Sequence, residues 1–233
     1  MHLLLDARNL NKHCDGITRY SVGLISALLK LRSNWDYSIL AEPEAAVHLE
    51  ALSLRTTGIG ETGSPKADCY LNFSSVTSSP AIPEIITVHN LMPLNFYGYH
   101  GNNTLKNLIA RNTFRIKLKK ALLSAAAISI PARDTLDDLR SDFPGSIEKA
   151  FITGEGQNLF SDDEIVNTER KDYILYVGNA RAYKNVTRLI VAYSRLKAIN
   201  PGFPEMKMVV RKDRAFKDFM RDINDCSARD SIT

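Results

Sequence analysis

The sequence predicts an α/β fold built on a parallel sheet, and three observations carry that prediction. Short apolar runs recur along the chain, with helix-length stretches between them. Most of these runs are continuous rather than alternating, as suits strands covered on both faces. The pattern halts at a polar segment, Gly154 to Asp172, and then begins again.

Taken in order, His2 to Leu5 reads as the first strand. A helix follows from about Thr18 to Arg32, because Tyr20, Leu24, Ala27, Leu28 and Leu31 recur at helical spacing on one face. Further strands are read at Tyr37–Leu40, Cys69–Phe73, Ile85–His89, Ala127–Ile130 and Ala150–Thr153. A long helix is read from Thr104 to Ala127, with Phe114, Leu118, Ala121, Leu122 and Ala125 on its apolar face. Arg111, Arg115 and Lys119 line another face at i+4 spacing, with Lys117 and Lys120 close by. Beyond the polar segment come a strand at Tyr173–Val177, a helix at Val186–Lys197 and a strand at Met206–Val210. In that helix Val186, Leu189, Ile190, Tyr193 and Leu196 share a face. The remaining charged stretch has room for one more helix. The expected domains are 1–166 and 167–233. A strand–helix–strand–helix piece leaves a sheet edge and much of a sheet face uncovered, so the second domain is expected to be partial.

The chain has 233 residues, 44% hydrophobic and 24% charged, with a net charge of +4. Mild basicity suits nucleic acid, an anionic membrane surface or phosphorylated small molecules equally. Cys14, Cys69 and Cys226 are far apart and form no C-x-x-C, which points to free thiols in a reducing compartment and to no metal site. The opening "MHLLLDARNL" has too short an apolar run for a signal peptide, and no stretch approaches the ~18 apolar residues of a spanning helix. A cytoplasmic location follows as the expectation, and the Asn-x-Thr matches at Asn102 and Asn185 then carry no weight.

Four segments bear on chemistry. "GIGETG", Gly58 to Gly63, spells the dinucleotide fingerprint, but Pro65 and a strand follow where a helix is needed, so it reads as a loop. In "DGITRYSVGL", Gly16 opens a helix whose first N–H groups can meet an anion, or Asp15 simply caps the turn. "ITVHNLMPL" ends a strand in His89 and Asn90, at the carboxyl end where open α/β sheets bind ligands. "GNARAYKN" combines Gly178, two cations at Arg181 and Lys184, and a helix start, which together suit a diphosphate. The basic stripe between Thr104 and Ala127 is either a solvated face or a rest for anionic lipid headgroups.

In order, these pieces resemble the retaining glycosyltransferases of family 4, especially bacterial mannosyltransferase-like members. "LLLDARNLNKHCDGITRYSVGLISALL" resembles their opening strand, glycine loop and helix, and "ITVHNLMPL" their T-[IV]-H-D-L-x-P-L segment. "AAISIPARDTLDDLRSDFP" is similar to their A-x-x-I-x-x-V-S segment, and "ILYVGNARAYKNVTRLIVAYSRL" to the opening of their second domain. Asn90 stands where the family usually has Asp, and Ile130 and Pro131 follow Ser129 in place of polar residues.

The resemblance implies a GT-B architecture: one complete Rossmann-like N-terminal domain on the acceptor side, then the first βαβ portion of a donor-side Rossmann-like domain. By the same resemblance His89 is the catalytic-site residue contacting the transferred sugar. Gly16, Gly178, Asn179, Arg181 and Lys184 bind the donor, and Arg19, Tyr20 and Asn90 lie on the acceptor side. The implied donor is a nucleotide-sugar, for which the mannosyltransferase likeness suggests GDP-mannose, with no cofactor and no metal. The implied acceptor is a glycan or lipid-linked glycan of surface polysaccharide synthesis, with peripheral contact at the inner face of the membrane through the 104–127 helix and no nucleic-acid partner. The family's later Glu-x7-Glu segment, which touches donor ribose and sugar, has no counterpart, so impaired transfer is expected. The alternative expectation is a non-catalytic remnant or interaction subunit, completed by a partner chain at the unfinished second sheet.

Overall fold

Six short runs rich in Leu, Ile and Tyr pair edge to edge, and the apolar residues of the inner strands are buried, while Phe151 and Ile152 of the last strand are exposed. The computed structural model describes residues 1–10, 15–42, 67–74, 82–99, 104–156 and 171–233. The Gly58–Gly63 loop, Cys14, Asn102 and most of the Gly154–Asp172 segment lie outside the described residues. The chain divides into two compact units, Met1–Asn95 with Leu108–Glu164, and Phe96–Asn107 with Ile165–Thr233.

In the first unit the strands are β1 (His2–Asp6), β2 (Asp36–Leu40), β3 (Cys69–Asn72), β4 (Glu84–Thr87), β5 (Ala127–Ile130) and β6 (Ala150–Ile152). Their order is β2-β1-β3-β4-β5-β6, and every pairing is parallel. The helices of this unit are α1 (Gly16–Leu31), α2 (Met92–Asn95), the greater part of α3 (Thr104–Ser124) and α4 (Arg133–Asp142). One core holds Leu3, Leu5, Ile25, Ile39 and Phe73, and another Ile86, Leu118, Leu122, Ile128 and Leu139.

The expected strands are all present, with ends shifted by one or two residues, and the helices differ in instructive ways. The inward line of α1 runs through Thr18, Ser21 and Ile25, not along the expected Leu31. Leu31 lies 240° around from Ile25 at 100° per residue and is 75% exposed. Small Thr18 and Ser21 let the first turns lie close against the sheet, and the Ser21 hydroxyl donates to the Ile17 carbonyl at 2.8 Å. The α3 helix buries Leu118, Ala121 and Leu122 as expected, but ends at Ser124, because Ala127 already pairs with Ile85 in the sheet. Lys149 closes that helix end, donating to the Leu123 and Ala125 carbonyls at 3.1 and 2.9 Å.

The second unit pairs β7 (Tyr173–Gly178) with β8 (Glu205–Val210), parallel and in full register. One face is covered by α5 (Val186–Ile199) and α6 (Phe216–Asn224), through Val186, Ile190, Phe219 and Ile223. The other is bare: Leu175, Val177 and Val209 are 54%, 67% and 60% exposed. The outer edge of β8, expected to be open, is instead met by the last residues. Ile232 bridges to Met206, and Thr233 exchanges backbone hydrogen bonds with Met206 and Met208. Among the described residues no helix is long and apolar enough to cross a membrane.

Candidate functional site

In the first unit the chain leaves β1 for β2 on one side and returns to β3 on the other. The sheet order therefore reverses between β1 and β3, and ligands in open α/β sheets bind at the carboxyl ends beside such a reversal. Asp6 ends β1 and is buried. Arg8 donates to it from Nε and Nη2, both at 2.8 Å, and the Tyr70 hydroxyl donates to the same carboxylate. Burial pushes the Asp6 carboxyl up, but the Arg8 and Tyr70 hydrogen bonds and the guanidinium charge outweigh it and hold Asp6 below the usual range. The Tyr70 phenol is pushed up by burial and by the neighbouring carboxylate. This triad fixes the start of the loop leading to α1.

His89 stands two residues past β4 and is mostly enclosed, with 13% of its side chain exposed. Its Nε2 donates to the Phe73 carbonyl at 3.0 Å, and that bond turns Nδ1 toward Glu155 Oε1, 3.6 Å away. The contact is an ion pair only when the imidazole carries both protons. Otherwise Nδ1 is an acceptor for a hydroxyl. The ring also meets Tyr20 edge-on, centroids 4.8 Å apart, and the buried Thr135 hydroxyl donates to the His89 carbonyl at 3.2 Å. Two buried oxygens at this end of the sheet, Asn9 Oδ1 and Thr87 Oγ1, have no partner among the described residues.

Asp15 does cap α1, accepting from the Thr18 N–H at 3.0 Å. Gly16 is the first helical residue, and a Cβ there would meet nothing within 4 Å among the described residues. Arg19 is exposed. Asn90 accepts from the Met92 N–H at 3.1 Å and so starts α2, a task Asp would perform as well. The structure thus joins His89 and Tyr20 directly, while Arg19 and Asn90 stand apart from that contact.

In the second unit Gly178 ends β7. A Cβ there would lie 2.9 Å from the Tyr176 hydroxyl, which donates to the Asn179 carbonyl at 2.7 Å. Gly178 therefore has a local reason to be glycine besides any ligand. Asn179 accepts from the Arg181 N–H at 3.1 Å, and the Arg181 side chain is held by Asp213 at 2.9 Å. Burial raises and the Ala215 N–H and Arg181 lower the Asp213 carboxyl, with a net shift downward. Lys184 is exposed, its Nζ 5.6 Å over the Tyr183 ring, and Tyr183 stacks on Tyr99 with centroids 5.3 Å apart. Beside this loop is a cleft of about 280 Å³ lined by Tyr99, Arg181, Tyr183, Thr187, Arg214 and Asp218. Asp213, Tyr99 and Glu155 were not legible as neighbours of these loops, since each arrives from a distant stretch of chain. Among the described residues no cluster of His, Cys, Asp and Glu is arranged to hold a metal ion.

Asn185 begins α5 in the left-handed region, φ 56° and ψ 34°. Asn185→Val is expected to lower stability by about 1–2 kcal/mol, because a β-branched side chain clashes there, while Asn185→Gly is expected to be near neutral. Urea midpoints of the two variants check this.

Comparison with solved structures fits the sheet topology. The S. aureus MnaA–UDP co-structure superposes with a TM-score of 0.53 at 12% identity, over 99% of this chain and 67% of that one. The fold is GT-B-like. UDP-GlcNAc 2-epimerase from Neisseria meningitidis, bound to UDP-GlcNAc, gives a TM-score of 0.49 at 12% identity, over 98% of this chain and 70% of that one. The wall teichoic acid polymerase TagF gives 0.48 at 14% identity, with 100% of this chain spanning 60% of that one. No protein-family model and no curated protein matches the sequence. Within the GT-B frame, the first unit is Rossmann-like and the second supplies a βαβ portion.

Proposed function

We propose that the chain is a nucleotide-sugar-binding protein of the glycosyltransferase type, taking a sugar from a nucleoside diphosphate donor to a glycan or lipid-linked acceptor. Family-4 lineage and a mannose donor are the specific form we favour, on the sequence motifs. The carrying observation is the loop after β7, where the exposed Lys184 cation and the start of the 14-residue α5 meet at a strand end. A helix start and a lysine suit a diphosphate leaving group, whose negative charge grows as the sugar departs. Gly16, at the start of α1, offers a second place for close backbone approach. His89 Nδ1, in the neutral ring, would accept a hydroxyl hydrogen of the sugar, with the Phe73 carbonyl and Tyr20 holding the ring. Arg181 contributes less directly in this reading, because Asp213 already pairs with it.

Thermal unfolding against UDP, GDP, ADP and their sugar conjugates tests the proposal, since a ligand of the folded state raises the midpoint by mass action. A rise with one nucleotide is expected. Lys184→Ala should weaken that nucleotide about tenfold or more, the worth of one charge-assisted hydrogen bond. No rise with any nucleotide sinks the reading. The second reading, an interaction subunit, is favoured by the bare face of Leu175, Val177 and Val209. It predicts an assembly larger than the monomer in size-exclusion chromatography, abolished by Val177→Lys.

A further inference from the structure

His89 follows β4 and Glu155 follows β6, and β5 lies between those strands. The two side chains therefore meet across the carboxyl end of β5. There the Ser129 and Thr153 hydroxyls share an exposed hydrogen bond of 2.8 Å, and the Thr153 N–H donates to the Ile130 carbonyl at 2.9 Å.

The demands of these groups are specific. His89 Nε2 gives its hydrogen to the Phe73 carbonyl, so Nδ1 of the neutral ring is an acceptor. Glu155 Oε1, opposite at 3.6 Å, is an acceptor too, and the separation is too long for a hydrogen bond between them. Two neighbouring acceptors are both satisfied by a ligand with donors on adjacent atoms. The Ser129–Thr153 pair spends one hydrogen on its own bond, and the second reaches only the Ile130 carbonyl, at 3.4 Å. That hydrogen suits a ligand oxygen that accepts. Among the described residues none of the four side chains is paired with Lys or Arg.

We infer that this end of the first sheet reads a vicinal diol on a neutral sugar. One hydroxyl donates to His89 Nδ1 and the hydroxyl on the adjacent carbon donates to Glu155, with Ser129 and Thr153 beside them. A phosphate or a uronic acid brings only acceptors and a charge that Glu155 repels. A guanidinium brings paired donors but accepts nothing from the hydroxyl pair. A sugar lacking either hydroxyl leaves an acceptor of the site unpaired, which is the strongest basis for rejecting an analogue. The reading rests on His89 as a sugar contact and not on the nucleotide, because all four residues belong to the first unit.

Titration of the intact chain with methyl glycosides, followed by NMR of labelled histidine side chains, tests this without a nucleotide. His89→Gln assigns the His89 signals by their loss. Methyl glucoside or methyl mannoside is expected to shift those signals saturably. In the monodeoxy series of the glycoside that binds, loss of either of two adjacent hydroxyls should weaken binding about tenfold. Methyl glucuronide should bind roughly fivefold more weakly than methyl glucoside. Glu155→Gln should lower the glucoside affinity about tenfold and abolish the difference between glucoside and glucuronide. A merely structural role for Glu155 would leave that difference in place. Its side chain is 55% exposed, so an unchanged unfolding midpoint is expected.

The proposal is overturned if no glycoside shifts His89, or if the sensitive hydroxyls are not adjacent. Undiminished binding by Glu155→Gln also overturns it, and a His89 shift with methylguanidinium in place of any glycoside overturns it in favour of a cationic ligand. Glycoside binding in a chain that no nucleotide stabilises supports the diol site and sinks the nucleotide reading. Stabilisation by a nucleotide with no glycoside binding does the reverse.

Discussion

Asp6→Ala is expected to lower the stability of the first unit by about 2–4 kcal/mol, near the low end for a broken buried ion pair because the Arg8 side chain is 35% exposed. The substitution leaves the Tyr70 hydroxyl without its acceptor and Arg8 without its carboxylate, at the end of β1, an interior strand between β2 and β3. Hydrogen exchange of the β1 and β3 amides is the measurement, since it reports the first unit by itself. The same carboxylate gives a pH signature. Asp6 in the folded chain is held below its unfolded value, so the native state binds fewer protons there. Its stabilisation is complete above the unfolded aspartate value of about 3.9 and is lost as pH falls below it. The wild type should therefore lose stability on acidification more steeply than Asp6→Ala, and parallel acid limbs for the two proteins would refute this account.

Tyr193→Ala should cost the second unit about 3–5 kcal/mol, the range for deleting a large buried aromatic side chain. Tyr193 is 1% exposed, packs with Met206 and Ala228, and has its hydroxyl 3.0 Å from both the Pro204 and Ser231 carbonyls. It thus ties α5 to the β8 approach and to the last turn of the chain. With two strands and few buried side chains, the unit has little reserve. Limited proteolysis is expected to release fragments cut beyond residue 171 while the first unit persists. Tyr193→Phe, which keeps the ring, should cost only about 1 kcal/mol. Equal losses in the two variants would mean that the hydroxyl, not the ring, carries the effect.

The strands were legible because each is a short apolar run between polar breaks, and parallel strands leave that mark whatever their order. The phase of α1 was less so. Thr18 and Ser21 are polar by type yet buried, and hydropathy gives no sign that small residues are wanted for close approach to the sheet. A bare sheet face in the second unit was expected from its few elements, but which residues form it was not: Tyr173, Leu175 and Val177 are as apolar as Ile174 and Tyr176.

His89 and Gly178 could be singled out because they end strands, which is a local property. The partners of these loops could not. Tyr70 reaches Asp6 across 64 residues of sequence, and Asp213 reaches Arg181 across 32. Glu155 reaches His89 only because the chain turns at Gly154, where φ is +70°.

The sheet order also bears on how the chain must be made. β1 is made before β2 and β3, yet its final place is between them. Until Cys69–Asn72 has been synthesised, Leu3, Leu4 and Leu5 have one strand neighbour at most. Parallel pairings over such separations form late, and the nascent strand is meanwhile free to adhere to other chains. Refolding yield should therefore fall as protein concentration rises, and a chaperone that shelters the nascent β1 strand should raise the yield in cells.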